Sequence, residues 1–148
     1  MHGTFMTFTL LALVGSAASA DERPVAESPR AVVERRFALV GRYDDEGIAA
    51  LYAPDAIETS PAFCTDRRGP AGALRTYGEL FKSYPTITAH ITSLIVEGDR
   101  VAVQFVARVR NPDGSIAFES RLANFLIVRA GKITRDDTYF DPIGRPCS

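Results

Sequence analysis

The chain has little from which a metal or redox centre could be built. Only two of its 148 residues are cysteine and two are histidine. Cys64 and Cys147 have none of the close pairing that zinc and dithiol motifs use. His2 lies in an apolar N-terminal segment that reads as a cleaved leader, so a mechanism with an imidazole base would rest on His90 alone. His90 alternates with Thr88 and Thr92, which points it to the outer face of a strand. The chain also lacks an excess of charge: its net charge is −1. That gives no electrostatic reason to expect nucleic acid or an anionic membrane as partner. Repeats, low-complexity tracts and a second domain are absent as well. One domain is the expectation at this length.

The first twenty residues, "MHGTFMTFTLLALVGSAASA", contain no Asp, Glu, Lys or Arg. Their apolar run, Phe5 to Val14, is too short to span a bilayer. It ends in small residues, and Ala18-Ser19-Ala20 offers a cleavage site before Asp21. The reading is a signal peptide over 1–20, a polar linker over 21–28 and a domain over 29–148, in a secreted or periplasmic protein with no membrane contact after cleavage. The alternative is an uncleaved apolar extension. Export would make a Cys64–Cys147 disulfide natural. It would close a loop of roughly 80 residues, worth on the order of 4 kcal/mol by chain entropy. The alternative is two unrelated thiols.

Ser28 caps a helix that has Pro29 in its first turn, with Val32, Val33, Phe37 and Val40 at helical spacing. A second helix is expected over 45–53, with Ile48, Leu51 and Tyr52 as its stripe and Pro54 as its stop. "AIETS" reads as a short strand and "PAFCTDRRG" as a loop. A third helix begins near Pro70, with Leu74, Tyr77 and Phe81 on one face. The period then changes to two. Strands are expected over 86–97, 100–110, 115–129 and 132–141, joined by tight turns. Helices followed by a strand meander argue for an α+β domain, a sheet wrapped over three helices around a hollow.

This order, with "ALYAPDAI" after the second helix, the "EGDRVAV" hairpin and "GKITRDDTYFDP" near the end, resembles the SnoaL-like and NTF2-like superfamily over about residues 29–142. That superfamily includes ketosteroid isomerase, limonene epoxide hydrolase and polyketide cyclases. The resemblance implies a cone, a curved antiparallel sheet packed on three N-terminal helices around a deep, mostly apolar pocket. The position of ketosteroid isomerase's aspartate base falls on Ser60, before Pro61. That of its oxyanion tyrosine falls on Arg36, although "ERR" otherwise reads as a solvated helix face. That of its protonated aspartate falls on Asn124. The catalytic aspartate of limonene epoxide hydrolase falls on Thr138, and the acid here stands two residues earlier, at Asp136. Neither known mechanism therefore transfers intact.

Strand alternation puts Asp136, Thr138 and Phe140 on one face and Asp137, Tyr139 and Asp141 on the other. Phe118, Leu122 and Asn124 share the apolar face of the preceding strand. Glu58 and Ser60 share a face of the short strand. The candidate catalytic residues are thus Asp136, Glu58 and Asn124. Phe37, Ser60, Tyr77, Phe118, Leu122, Thr138 and Phe140 are the candidate ligand-binding residues. Either acid, facing an apolar hollow, would have a raised pKa suited to proton transfer, with Asn124 holding a developing oxyanion. The alternatives are an acid near the pocket rim, solvated or paired with an arginine, for Asp136; a rim carboxylate paired with Arg67 or Arg68 for Glu58; and a core amide without ligand contact for Asn124. Neighbouring Asp136 and Asp137 point oppositely and make no metal site, and no cofactor is called for. The function expected is binding of a small hydrophobic ligand or a partner chain. The alternative is isomerase, dehydratase or cyclase chemistry. A homodimer through the outer sheet face is a further expectation.

Overall fold

A computed structural model describes residues 25–141 of the chain. The expected signal peptide, the first half of the linker and Cys147 lie outside the described residues.

Helix α1 spans Pro29–Val40, and the Ser28 hydroxyl accepts from Ala31 N at 3.3 Å. Its buried residues are Val32, Val33, Arg36 and Val40. Helix α2, Asp45–Ala49, is capped by the Asp44 carboxylate, which accepts from Gly47 N at 2.7 Å. It ends well short of residue 53. Tyr52, expected on a helical stripe, is instead the first residue of strand β1, Tyr52–Thr59. Pro54 does not stop the helix; it sits inside the strand. Having no N–H, it cannot complete the ladder, and the register slips between Tyr52 and Ile57.

The expected loop contains a two-residue strand β2, Arg67–Arg68, paired antiparallel with β1. Helix α3, Gly69–Ser83, starts at a glycine with φ +59°, where an added Cβ would lie 2.6 Å from Pro54 O. Only glycine fits there. Ala73 and Tyr77 face inward on α3, whereas Leu74 is 41 % exposed and does not share their face.

The four long strands follow the expected bounds closely: β3 Thr88–Glu97, β4 Arg100–Arg110, β5 Ile116–Arg129 and β6 Lys132–Tyr139. They form one curved sheet in the order β2-β1-β6-β5-β4-β3. The sheet is mixed rather than purely antiparallel, because β1 runs parallel to β6. That pairing sets Glu58 beside Asp136 and Thr59 beside Asp137. Ile48, Val32, Val33, Leu126 and Ile133, each almost wholly buried, knit the helices to the inner sheet face. Between α1, α3 and the inner face of the sheet lies a hollow.

Candidate functional site

The hollow has a volume of about 710 Å³, within the usual range for small-molecule sites. Much of its wall is apolar. Phe37 from α1, Tyr77 and Leu80 from α3, Phe105 from β4, and Phe118 and Leu122 from β5 all line it. Ser60, Thr138 and Phe140 line it as well, so all seven residues expected to touch a ligand border the cavity. Among the described residues no cluster of three or more His, Cys, Asp or Glu could hold a metal ion.

The polar end of the cavity grows out of the β1–β6 pairing. Asp136 is fully buried. Its Oδ2 accepts from the Tyr52 hydroxyl at 2.7 Å, and its Oδ1 accepts from Asn124 Nδ2 at 2.6 Å. Arg36 Nη1 stands 3.0 Å from Oδ2, a charge contact without the alignment of a hydrogen bond. Alternation put Asp136 on the inner face, and it is there. It does not reach the hollow, however: Arg36 and Asn124 line the cavity and Asp136 does not.

Arg36 is 5 % exposed, so the solvated reading of "ERR" fails at its last residue. Val32, Arg36 and Val40 repeat every four residues, and that spacing turns the guanidinium inward. Arg36 Nε donates to the Tyr77 hydroxyl at 2.7 Å. Burial opposes the Arg36 charge, but Asp136 and the two tyrosines outweigh it and hold its pKa well above the ordinary value. Burial pushes Tyr77 up to about 12, against the pull of Arg36. Burial, then Asp136, raises Tyr52 well above its usual value, so both phenols keep their protons. Because Tyr77 accepts from Arg36, its own proton remains available to donate into the cavity.

Asn124 does not play the expected part. Its Nδ2 donates to Asp136 Oδ1 and, at 2.7 Å, to Thr138 Oγ1, so both amide protons are committed. Its Oδ1 is buried without a partner. An oxyanion in the cavity would have to be met by the Tyr77 hydroxyl and Arg36 instead.

Glu58 is 4 % exposed and lies on the cavity wall. Thr76 Oγ1 donates to its Oε2 at 2.7 Å. Burial, reinforced by neighbouring Asp136, lifts its pKa to about 7 against the opposing Thr76 bond and the positive fields of Arg36 and Arg67. It is not a rim carboxylate held by an arginine. Arg67 reaches Thr76 at 3.1 Å and Glu79 at 2.6 Å instead. Tyr52 and Thr76 are the site residues that the sequence reading passed over. Tyr52 was hidden by the misplaced helix end. Thr76 carries no periodic signal of its own, being a polar residue beside Tyr77.

Residues 33–136 match the model of the SnoaL-like domain. No curated protein matches the chain. Among solved structures, IdmH, a proposed polyketide cyclase from Streptomyces antibioticus, is 27 % identical, with 78 % of this chain and 93 % of that one covered and a TM-score of 0.69. A proposed SnoaL-like polyketide cyclase from Jannaschia is 17 % identical, covering 83 % and 92 %, with a TM-score of 0.66. A protein of ketosteroid isomerase-like fold from Catenulispora acidiphila, in complex with trimethylamine, is 19 % identical, covering 74 % and 85 %, with a TM-score of 0.66. At those last two identities the likeness is one of fold alone.

Proposed function

Because the chain belongs to the SnoaL-like family, within the NTF2-like superfamily, we propose that its cavity takes up a small, largely hydrophobic molecule bearing an enolisable carbonyl, and that Glu58 moves a proton on it. The observation that carries this reading is Glu58 itself, a nearly sealed carboxyl at the polar end of a mostly apolar cavity, with a pKa of about 7. Such a group takes and returns protons near neutral pH without a large energetic mismatch. The ionised form would remove a proton α to the carbonyl. The Tyr77 hydroxyl, polarised by Arg36, would donate to the oxygen as charge builds there. Asp136 would act from beneath, fixing Arg36 and Asn124 without touching the ligand. Isomerisation, dehydration and cyclisation all start from this proton transfer.

A second reading is a binding module without chemistry. It is favoured by the committed amide protons of Asn124 and by the position of Asp136 below the cavity wall. The two readings separate in one experiment. With 2-tetralone as probe in D2O, loss of the α-proton signal should be accelerated by the wild-type protein, more so above pH 7. Glu58→Gln should lose about a hundredfold or more of that acceleration. If the ketone binds and the two proteins leave its exchange equally slow, the site binds and does not catalyse.

A further inference from the structure

We propose that Thr76 is a positioning residue for Glu58: its hydroxyl, anchored by Arg67, reverses the direction of its hydrogen bond as Glu58 gains and loses a proton. This rests on the reading of Glu58 as the proton carrier and supplies the device that would govern it.

The geometry gives Thr76 Oγ1 three partners. Arg67 Nη1 donates to it at 3.1 Å, Glu58 Oε2 lies 2.7 Å away, and the Gly72 carbonyl oxygen lies 3.1 Å away. A hydroxyl has one proton to give and two lone pairs to offer. Arg67 can only donate, so it permanently occupies one lone pair. With Glu58 ionised, the Thr76 proton goes to Oε2 and the Gly72 carbonyl keeps only its helical backbone partner. With Glu58 protonated on Oε2, the carboxyl donates to the second lone pair and the Thr76 proton turns to Gly72. No heavy atom has to move. One proton arrives on Glu58, one hydroxyl rotates, and in both end states the Thr76 proton and the Glu58 Oε2 each have a partner.

Arg67 is itself held from outside. Its Nη2 donates to Glu79 Oε2 at 2.6 Å, and Arg75 Nε donates to the other oxygen of Glu79 at 2.8 Å. The guanidinium lies over the Phe63 ring, 4.0 Å from the centroid. A chain of bonds therefore runs from the exposed face of α3 to the buried acid. The other charged or titratable groups around Glu58 are Asp136 on β6, Arg36 on α1, Tyr52 on its own strand and Tyr77 on α3. Among the described residues only Thr76 hydrogen-bonds the Glu58 carboxyl through a side chain.

The test is a titration followed by carbon-13 NMR of the Glu58 carboxyl and the Gly72 carbonyl in three proteins: wild type, Thr76→Val and Thr76→Ser. A bond to the charged carboxylate outweighs its neutral counterpart, so Thr76→Val should raise the Glu58 midpoint by about one pH unit. Thr76→Ser should bring it back. The Gly72 carbonyl should titrate with the Glu58 midpoint in wild type and Thr76→Ser and stay flat in Thr76→Val. An unmoved or lowered midpoint in Thr76→Val overturns the proposal, as does a Gly72 signal indifferent to Glu58 in wild type. No substrate is involved. If the three titrations behave as expected while Glu58→Gln leaves tetralone exchange untouched, the catalytic reading falls and the Thr76 device stands.

Discussion

Arg36 Nη1 and Asp136 Oδ2 lie 3.0 Å apart at the inner end of the cavity, and neither side chain is more than 6 % exposed. A buried ion pair of this kind adds little net stability relative to apolar residues, but breaking it from one side is costly. Asp136→Asn strands the guanidinium between the Phe37 and Tyr77 rings without its counter-charge. The expected loss is about 3–5 kcal/mol in urea unfolding at neutral pH. The double variant Arg36→Met with Asp136→Leu should lose less than either single change. A single-variant loss below about 1 kcal/mol would mean that water already reaches the pair.

Much of this arrangement could be read from the sequence, and the part that could not has a physical cause. Strand alternation correctly put Asp136, Asn124 and Thr138 on the inner face. Alternation assigns a face and not a depth, so it could not say that Arg36 and Asn124 would roof Asp136. Arg36 itself was legible in the four-residue repeat Val32, Arg36, Val40. The charged neighbours Glu34 and Arg35, both exposed, masked it. The parallel β1–β6 pairing joins distant segments and leaves no local signature. Pro54 misled because it can end a helix or bulge a strand, and only the long-range pairing decides which.

The outer sheet face carries a row of cross-strand neighbours, Ile95, Ala102 and Phe125, with Tyr139 beside it. Ile95, Phe125 and Tyr139 are each more than half exposed, and the two rings meet edge to face at 5.7 Å. We propose that a second copy of the chain covers this row. Sedimentation should find a dimer for the wild type and a monomer for Phe125→Asp, with the same far-ultraviolet spectrum. A wild-type monomer at high micromolar concentration would refute it.

Export and the disulfide are tested together, since both depend on residues outside those described. The protein recovered from outside the cytoplasm should begin at Asp21. Its Cys64 should resist alkylation until a reductant is added. Cys147→Ser should then cost on the order of 4 kcal/mol, the entropy of an open loop of that length. An intact first twenty residues, or alkylation without reductant, would contradict the respective expectation.

Glu58 predicts an unusual dependence of stability on pH. Its ordinary pKa is 4.5, and in the folded protein it is about 7. Between those values the folded state holds a proton that the unfolded state has released. Stability therefore falls as pH rises through this window, the reverse of a carboxylate paired in the native state. Below about pH 4.5 Glu58 is protonated in both states and costs nothing by this route. Above pH 7 the folded protein must keep a charge out of water, at a cost on the order of 3 kcal/mol. Glu58→Gln, which mimics the protonated side chain without titrating, should be about as stable as wild type at pH 4 and more stable by roughly 3 kcal/mol at pH 8. Urea midpoints across that range measure the difference. Parallel curves for the two proteins would show that Glu58 is solvated or already paired in the folded state, and the cavity would then have no carboxyl poised for proton transfer.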